Sequence, residues 1–519
     1  MSRLIVVSNR VAAPTGAKSP GGLAVGVEDA LRDTGGVWLG WSGEVADEEP
    51  AAAPATCSRG GIEYATFPLG QDDYDRYYRG FSNAVLWPAF HYRPDLSRYR
   101  PEDYQGYLNV NRAFAQRLRT LLRPGDIVWV HDYHLLALGE LCRQAGIRNR
   151  IGFFLHIPFP SPEVFRTIAP HAELARALCA YDLVGFQTRT DEQAFERYCR
   201  QFLGATGDGA GLRVAGRRVR LGTYPIGIDT RDVAAMSRHD RSRQVAALKS
   251  GLADRKLIIS VDRLDYSKGL LERFGAFEQL LENQPELRGK VSFVQIAPSS
   301  RSDVHGYREI RRDLERAAGR INGKWGELAW TPLRYINRSY DRATLMPLLR
   351  ASHVGLVTPL RDGMNLVAKE YVAAQPPEDP GVLVLSEFAG AAQEMADGAL
   401  LVNPYDTAAM ARALERALRM PLADRVRRYE RLMQRLRAHS VAHWKDRFLA
   451  DLRAAGAGIR GDAGVQAPAD ARGEATNGVP TGVPTGVPIG VPRGVTNGVA
   501  IRAGAPTGVR AAAPPAWPQ

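Results

Sequence analysis

The sequence predicts an α/β protein made of two doubly wound halves. Three observations carry this prediction: short apolar runs alternate with segments of helical periodicity, the alternation restarts near residue 255, and 519 residues suffice for more than one core. Runs that are apolar throughout are typical of strands buried on both faces of a parallel sheet. The predicted strands cover residues 3–8, 126–131, 151–156, 182–187, 256–261, 290–297, 353–358 and 381–386.

Between these strands lie segments whose apolar residues recur at helical spacing, such as NVNRAFAQRLRTLL and TAAMARALERAL. The polar stretch RHDRSRQVAALKSGLADR predicts a helix that links the two halves. The predicted domains are an N-terminal one over 1–240 and a C-terminal one over 241–456, whose last helix is expected to return to the N-terminal domain. The Gly/Val/Pro-rich repeat within 457–519 lacks helical periodicity and a stable apolar face, so we expect a disordered tail.

Composition narrows the classes of protein. No apolar run approaches the roughly 20 residues that span a bilayer, so we expect a cytoplasmic protein that does not bind membranes. The four cysteines show neither a disulfide framework nor zinc-ligand spacing, so we expect reduced thiols. The formal net charge is +12, but the arginines are distributed along the chain and no nucleic-acid-binding motif is present. An anionic small substrate explains this charge equally well, and we expect no nucleic acid partner.

Ligands of open α/β sheets bind beyond the carboxyl ends of the strands, so residues there are candidate site residues. After the first strand come Asn9 and Arg10, and then Gly21 and Gly22 ahead of a helical segment. Two glycines before a helix let backbone N–H groups approach an anion, although such a pair is more often only a turn. The stretch matches neither GxGxxG nor GxxxxGK[ST], which disfavours a nicotinamide-dependent oxidoreductase and a P-loop enzyme.

Histidines and carboxylates follow the next two strands. His131, Asp132 and His134 are close together, but neighbouring positions of a strand or turn point in different directions and no further ligand completes a metal site. We therefore predict that the two histidines pack or form hydrogen bonds, while Asp132 and His156 face the cleft. The acidic stretch DDYD at 72–75 does not follow an apolar strand, so we interpret it as the solvent-exposed start of a helix.

Charged residues also follow the strands of the second half. The candidate site residues in the segments after these strands are Arg263, Lys268, Arg301 and Asp362. Cations together with the helix that begins at Leu366 suit a diphosphate, and Glu370 suits the vicinal hydroxyls of a ribose. The alternative interpretation of this charge is a surface ion pair between Arg263 and Asp265, worth less than about 1 kcal/mol.

Sequence strings in both halves resemble those of the trehalose-6-phosphate synthases, which are retaining glycosyltransferases of GT-B architecture. The resemblance runs from the N-terminus to about residue 450 and does not include the Gly/Val/Pro tail. The strings are SNR, GGLAVG, WLGWSG, YYRGFSNAVLWPAFHYR, VHDYHLL, FFLHIPFPSPEVF, YPIGID, DRLDYSKG, GRINGKWG, TPLRDGMNLVAKEYVA and VLSEFAGAA.

The resemblance implies a GT-B fold, in which two Rossmann-like domains face a central cleft, and roles for individual residues. The C-terminal domain would hold UDP-glucose and the N-terminal domain much of the site for glucose 6-phosphate. The implied donor-site residues are Gly21, Gly22, Arg263, Lys268, Tyr340, Asp362, Gly363, Met364, Asn365, Leu366, Val367 and Glu370. The implied acceptor-site residues are Arg10, Tyr78, Trp87, Asp132 and Arg301. The implied catalytic residues are Asp132, His156, Arg263, Lys268 and Asp362, and those implied in anomeric selectivity are Trp87 and Arg311.

The resemblance further implies front-face transfer with retention, in which Arg263 and Lys268 stabilise the leaving diphosphate and neither a metal nor another cofactor is required. The alternatives are another GT-B glucosyltransferase, such as one of the glycogen type, and a catalytically silent sensor of sugar nucleotides. A fused phosphatase is disfavoured because the C-terminal region lacks DxDx[TV], so a separate trehalose-phosphate phosphatase would act downstream. The sequence leaves two questions open: which nucleotide base the sugar donor carries, and whether the protein forms a homo-oligomer.

Overall fold

Two β-sheets with helices packed against them form the described part of the protein. The structure is a computed structural model that describes residues 3–11, 27–28, 31, 35–46, 53–208, 211–239, 243–252, 254–299 and 305–455. The predicted tail over 457–519 lies outside these residues. None of the described helices is long and apolar enough to cross a bilayer.

The first sheet is mainly parallel. Its described strands are β1 (Leu4–Arg10), β2 (Gly36–Ala46), β3 (Ala55–Arg59), β4 (Ile62–Gly70), β5 (Ile127–His131), β6 (Arg150–Phe154), β7 (Leu183–Phe186), β8 (Thr206–Asp208), β9 (Gly211–Val214) and β10 (Arg217–Thr223). Their order is β3-β4-β2-β1-β5-β6-β7-β10-β9-β8, with antiparallel pairing only where β3, β8 and β9 join. The direction of chain progress reverses between β1 and β5, so the switch point lies there.

The second sheet is parallel throughout its described length. Its strands are β11 (Lys256–Val261), β12 (Val291–Ile296), β13 (Leu333–Ile336), β14 (Val354–Val357), β15 (Val382–Ser386) and β16 (Leu400–Val402). They lie in the order β13-β12-β11-β14-β15-β16, which is the 3-2-1-4-5-6 order of a Rossmann fold. The switch point of this sheet therefore lies between β11 and β14.

Helices occupy the connections between the strands. The first group is α1 (Gln71–Asp73), a π-helix over Tyr74–Leu86, α2 (Trp87–Phe90), α3 (Pro101–Leu121), α4 (Leu138–Gln144), α5 (Pro162–Phe165), α6 (His171–Leu178), α7 (Arg189–Phe202), α8 (Thr230–Arg238) and α9 (Arg243–Leu252). The second is α10 (Leu270–Asn283), α11 (His305–Trp325), α12 (Arg342–Arg350), α13 (Leu366–Ala374), α14 (Ala392–Met395), α15 (Thr407–Arg419), α16 (Leu422–Ala438) and α17 (Val441–Ala455). Short 3₁₀ turns lie at Pro94–Leu96, Tyr133–Leu135, Tyr266–Lys268 and Pro285–Leu287.

Burial on both faces explains why the strands are apolar throughout. Ile5 and Val7 of β1 belong to one buried core, whereas Leu4 and Val6 belong to another on the opposite face. Alternate side chains of a strand point to opposite faces, so both faces of this sheet are covered.

The last helix, α17, packs on the first sheet. Phe448 lies against Gly152 and Gly185, where an added Cβ would come within 2.9 and 2.8 Å of its ring. Trp444 packs on Trp129 with ring centroids 4.8 Å apart. The chain therefore ends its described part on the N-terminal half.

Each of the eight predicted strands is present, with ends that differ by at most two residues, and the α/β fold with two parallel-sheet domains is confirmed. The predicted linking helix corresponds to α9. Helix α8 lies before the predicted boundary at 240 but packs against α12 and α13, and the boundary itself stays a prediction. The strands that were not predicted are the glycine-containing β2, then β3, β4, β8, β9 and β10 of the first sheet, and the short strands β13 and β16 at the edges of the second.

Candidate active site

Asp132 follows β5 at the switch point of the first sheet and has a left-handed backbone with φ of 77°. This conformation is uncommon for a residue with a side chain, and such residues concentrate at functional sites. Its N–H donates to the carbonyl of Phe154 at 2.8 Å, and its carboxylate accepts the backbone N–H of His156 at 3.2 Å. The predicted pair Asp132 and His156 therefore meets at the ends of β5 and β6.

His156 also contacts His131, whose Nδ1 lies 3.0 Å from Nε2 of His156. Burial lowers the pKa of His156 to about 3 and lowers the pKa of His131 well below its usual value. Both imidazoles are consequently neutral near pH 7, and one must donate to the other. His134 instead stacks on Tyr78, with centroids 5.8 Å apart. The predicted packing and hydrogen-bonding roles of His131 and His134 match these contacts.

Lys268 and Asp362 form an ion pair at the switch point of the second sheet. The Lys268 Nζ donates to Oδ2 of Asp362 at 2.6 Å, and the Asn365 amide donates to the same oxygen at 3.0 Å. Burial alone would raise the pKa of Asp362, but the charge and hydrogen bond of Lys268 outweigh it and lower that pKa. The carboxylate therefore stays ionised beside a buried cation.

The turn that presents Lys268 depends on Asp265 and Gly269. Asp265 is fully buried, and its carboxylate accepts from the N–H and hydroxyl of Ser267 and from the hydroxyl of Tyr307. Gly269 has φ of 65°, and an added Cβ would meet the carbonyl oxygen of Thr358 at 2.4 Å. Asp265 therefore caps this turn from within the protein and is not at the surface, where the alternative ion pair with Arg263 would need it.

Arg263 and Trp87 bring the two halves together. The Arg263 guanidinium lies over the Trp87 ring, 5.3 Å from its centroid. Trp87 begins α2, directly after the thirteen-residue π-helix, and is buried. Arg263 of one half, which is predicted to bind the diphosphate, thus contacts Trp87 of the other half, which is predicted to bind the acceptor.

Gly363 makes a second close approach between the halves. An added Cβ would lie 2.1 Å from the carbonyl oxygen of His156 and 2.9 Å from the Cα of Ile157. No other residue type fits there without moving backbone. Asn365 follows with φ of 75° and caps α13, because its side chain accepts the N–H of Ala368 at 3.2 Å. The N-terminus of α13 is therefore held next to the Lys268–Asp362 pair.

Glu370 lies one turn into α13 and is paired with Arg342. The Arg342 Nη2 is 3.1 Å from the Glu370 carboxylate, whose side chain is 14% exposed. Burial raises the pKa of Glu370, although the charge of Arg342 opposes that shift. Near it, Met364 is buried, and Tyr340, Leu366 and Val367 are partly buried against the same apolar core.

Arg10 and Tyr78 share one aromatic neighbour, Trp41. The guanidinium of exposed Arg10 lies 5.7 Å from the Trp41 centroid, and the Tyr78 ring lies 5.6 Å from it. These two predicted acceptor residues therefore share a neighbour near the end of β1. Gly21, Gly22 and Arg301 lie outside the described residues.

Arg311 is not brought to the site by any contact of the described residues. It lies on the exposed side of α11, where its Nε is 2.8 Å from the carboxylate of Glu315. Within the described ranges, no three histidine, cysteine, aspartate or glutamate side chains are arranged to hold a metal ion.

The chain is similar to known proteins over most of its length. The sequence model of glycosyltransferase family 20 matches residues 6–454. The chain belongs to that family. It is 53% identical to the trehalose-6-phosphate synthase of Cronobacter sakazakii, over 87% of this chain and 95% of the relative.

Solved structures of similar proteins agree with this family 20 membership. An α,α-trehalose-phosphate synthase (UDP-forming) from Burkholderia vietnamiensis superposes with a TM-score of 0.86 at 56% identity, over 88% of this chain and 98% of that one. The Burkholderia xenovorans enzyme in complex with glucose-6-phosphate gives a TM-score of 0.84 at 53% identity, over 87% and 100%. The E. coli protein bound with UDP-2-fluoro glucose gives 0.83 at 50% identity, over 87% and 99%. The predicted GT-B architecture and family are confirmed, and the protein is a glycosyltransferase.

Two residues next to the candidate site were not predicted as site residues. His91 is buried close enough to Asp265, Lys268 and Asp362 for their charges to act on its pKa. Tyr92 has φ of 60°, its hydroxyl accepts the backbone N–H of Ser161 at 2.9 Å, and its ring centroid lies 4.3 Å from the guanidinium of Arg361. Both are part of the string YYRGFSNAVLWPAFHYR, which was the one available signal.

Proposed function

We propose that the protein transfers glucose from UDP-glucose to glucose 6-phosphate, releasing UDP and forming α,α-trehalose 6-phosphate with retention of configuration. One observation carries the proposal: the buried Lys268–Asp362 pair lies at the switch point of a Rossmann sheet, opposite Trp87 and His156 of the other half. The names of the relatives support the same substrates, since one was solved with glucose-6-phosphate and another with UDP-2-fluoro glucose.

The C-terminal half would bind the donor. Arg263 and Lys268 would contact its diphosphate, which suits two cations beside the N-terminus of α13. Asp362 and the backbone from Gly363 to Val367 would hold the glucose and phosphates, while Glu370, with Tyr340 nearby, would accept the ribose hydroxyls. Arg342 holds the Glu370 carboxylate at 3.1 Å, and its charge opposes the rise in the Glu370 pKa that burial causes. From the other half, Gly22, with Gly21, would approach the donor phosphate.

The N-terminal half would supply much of the acceptor site. Arg10 and Arg301 would pair with the phosphate of glucose 6-phosphate, because guanidinium groups donate two parallel hydrogen bonds to phosphate. Tyr78, Trp87 and Asp132 would frame the sugar. The cation–π contact of Trp87 with Arg263 supports an acceptor position beside the leaving group of the donor. The roles of Trp87 and Arg311 in anomeric selectivity stay a prediction.

Transfer would proceed at the front face of the donor sugar. The bond from the anomeric carbon to the diphosphate oxygen breaks, and the acceptor hydroxyl forms the new bond on the same face while its proton passes to that oxygen. Arg263 and Lys268 stabilise the negative charge that develops on UDP. Neutral His156 offers a hydrogen bond to the donor sugar without repelling a sugar of oxocarbenium character.

We also propose that the chemistry needs no metal or other cofactor, that a separate phosphatase consumes the product, and that the protein acts in the cytoplasm. The lack of DxDx[TV] in the C-terminal region supports the second proposal.

The test is a substrate panel. The protein is incubated with UDP-, GDP- and ADP-glucose, each with glucose 6-phosphate or glucose, and products are identified by NMR. We expect UDP release and an α,α-1,1 linkage that require glucose 6-phosphate. Equal transfer to unphosphorylated acceptors would support a glycogen-type transferase, and binding without turnover would support a sensor.

A further inference from the structure

A cavity of about 470 Å³ lies where the end of α15 meets the start of α16. We call it the arginine cavity. Its lining residues are Arg416, Arg419, Met420, Pro421, Asp424, Arg427, Arg428 and Arg431. Five guanidinium groups and a single carboxylate therefore surround one space, which makes its electrostatic potential strongly positive.

The two helices concentrate the positive charge of the chain. Residues 407–438 contain nine arginines and three acidic residues, whereas the whole chain of 519 residues has a net charge of +12. This segment departs from the expectation that the arginines are distributed along the chain and not clustered in a tract. Folding brings this positive charge still closer together, because arginines from separate turns of α15 and α16 line the same cavity.

The arginine cavity lies away from the proposed substrates. The Lys256 ammonium, at the first residue of β11, donates to the carbonyl of Leu418 at the end of α15. The cavity is therefore near the amino ends of the strands of the second sheet. Arg263, Lys268 and Asp362 follow the carboxyl ends of the same strands. Neither UDP-glucose nor glucose 6-phosphate explains this group of arginines.

Nearby carboxylates neutralise only part of this charge. Arg419 is paired with Glu286, and Arg427 with Asp424. Arg428 donates to the carbonyls of Gly398 and Ala399, at 2.9 and 3.3 Å.

The remaining charge is closely spaced. Within the described residues, Arg416 and Arg431 form no ion pair with a carboxylate. Burial, followed by the positive charge of Arg416, lowers the pKa of Arg428, and Arg431 adds to this effect. These three guanidiniums repel one another, and a bound anion would remove that repulsion.

We propose that the arginine cavity binds a small oligophosphate, an anion that carries at least two phosphate groups. Guanidinium groups match phosphate geometry with paired N–H donors, and several of them on two helices suit more than one phosphate. The volume falls within the range of about 300–1,000 Å³ that is usual for small-molecule sites. Met420 and Pro421 provide apolar lining beside the charges.

The experiment is a calorimetric titration of the full chain with sodium tripolyphosphate at about 0.15 M salt. We expect a site with a Kd below about 0.1 mM that is retained in Arg263→Ala, since that variant weakens only the separate binding of polyphosphate in the cleft. The double variant Arg416→Ala/Arg431→Ala should bind at least tenfold more weakly, the scale for losing charge-assisted bonds. Arg412→Ala/Arg437→Ala is the matched control, because these arginines are on the same helices but do not line the cavity.

Three outcomes would overturn the proposal. The first is binding only at millimolar concentration, which would indicate an adventitious ion only. The second is an equal loss in the cavity and control double variants, which would indicate nonspecific attraction to a basic surface. The third is binding that Arg263→Ala weakens and the cavity variant leaves intact, which would assign the anion to the cleft. None of these outcomes bears on the proposed transferase activity, which the substrate panel tests separately.

Discussion

The ammonium of Lys268 lies 2.6 Å from the carboxylate of Asp362, and this pair joins the loops that follow the two strands at the switch point of the C-terminal sheet. Their side chains are 9% and 15% exposed, so the charges are largely removed from water. A buried pair of this kind costs desolvation energy that its own attraction does not always repay. Because the pair lies where we propose that the diphosphate binds, we infer that it serves the donor site as well as the fold.

The first prediction separates the electrostatic role of the diphosphate site from its structural role. Arg263→Ala should lower kcat by roughly 10²-fold, the scale for losing one preorganised contact to developing charge. Arg263 is exposed, so the melting temperature should barely change. Steady-state kinetics and thermal unfolding of the same preparation check both expectations. Arg288→Ala is the control, because Arg288 lies over Trp325 in a similar cation–π contact outside the site. Unchanged kcat in Arg263→Ala would contradict the assignment.

Lys268→Ala should behave differently. It leaves the Asp362 carboxylate buried without its cation, which costs about 3–5 kcal/mol in buried ion pairs. Both kcat and the free energy of unfolding should therefore fall. Lys268→Ala/Asp362→Asn should recover part of the stability but not the activity, as measured by urea denaturation and initial rates. Recovery of activity in the double variant would show that the pair serves only the fold.

A further prediction concerns the contact between the halves at Gly363. Gly363→Ala should reduce turnover by roughly 10²-fold or more, because the new Cβ would meet backbone atoms of His156 that cannot rotate away. Gly319→Ala in α11 is the matched control, since an added Cβ there meets nothing within 4 Å and Gly-to-Ala in a helix stabilises by up to about 1 kcal/mol. Wild-type turnover in Gly363→Ala would mean that the two loops separate during the reaction.

Buried histidines predict a pH dependence of stability. Burial lowers the pKa of His91 from 6.5 to about 4, although the charge of Asp265 opposes the shift. The unfolded chain therefore takes up this proton at higher pH than the folded protein does. The resulting stability is complete above pH 6.5 and is lost as the pH falls towards 4.

Denaturant unfolding at several pH values between 7.5 and 4.5 measures this effect. His91→Asn should reduce the slope of unfolding free energy against pH, whatever it does to the stability at pH 7.5. His239→Asn is the matched control, because it makes the same substitution at an exposed position. Equal slopes in the wild type and His91→Asn would show that His91 is already protonated in the fold or accessible to water.

Much of the fold was predictable because its strands are short runs buried on both faces. The run KLIISV gives β11 at its observed bounds, and the charged turn after it was identified as a candidate diphosphate site. The strand GVWLGWSGEVA was not predicted, since its glycines and polar end interrupt the apolar run. Its importance comes from pairing between β1 and β4, which is a long-range property.

The candidate site was predictable only in part for the same reason. Arg263, Lys268 and Asp362 follow strands, so their position could be inferred from topology. The approach of Gly363 to His156 joins residues more than two hundred positions apart and has no local signal. Arg311 was assigned only by resemblance, and its observed partner is Glu315.

The last prediction tests the identity of the acceptor through Arg10. The guanidinium lies at the exposed end of β1, held over Trp41, where it can offer forked donors to a phosphate. Charge-assisted hydrogen bonds contribute about 1.5–3 kcal/mol, so Arg10→Ala should raise KM for glucose 6-phosphate by roughly tenfold to a hundredfold. KM for UDP-glucose and the slow use of free glucose should stay within about twofold.

Arg10→Lys should recover only part of the affinity, because one ammonium replaces the fork with a point charge. Arg166→Ala is the control, since Arg166 lies over Phe202 in an equivalent exposed contact elsewhere in the N-terminal half. Initial rates at varied glucose 6-phosphate and fixed UDP-glucose distinguish the outcomes. Equal losses with glucose and glucose 6-phosphate would show that Arg10 supports the end of β1 and not the acceptor phosphate, and the phosphate would then depend on Arg301 alone.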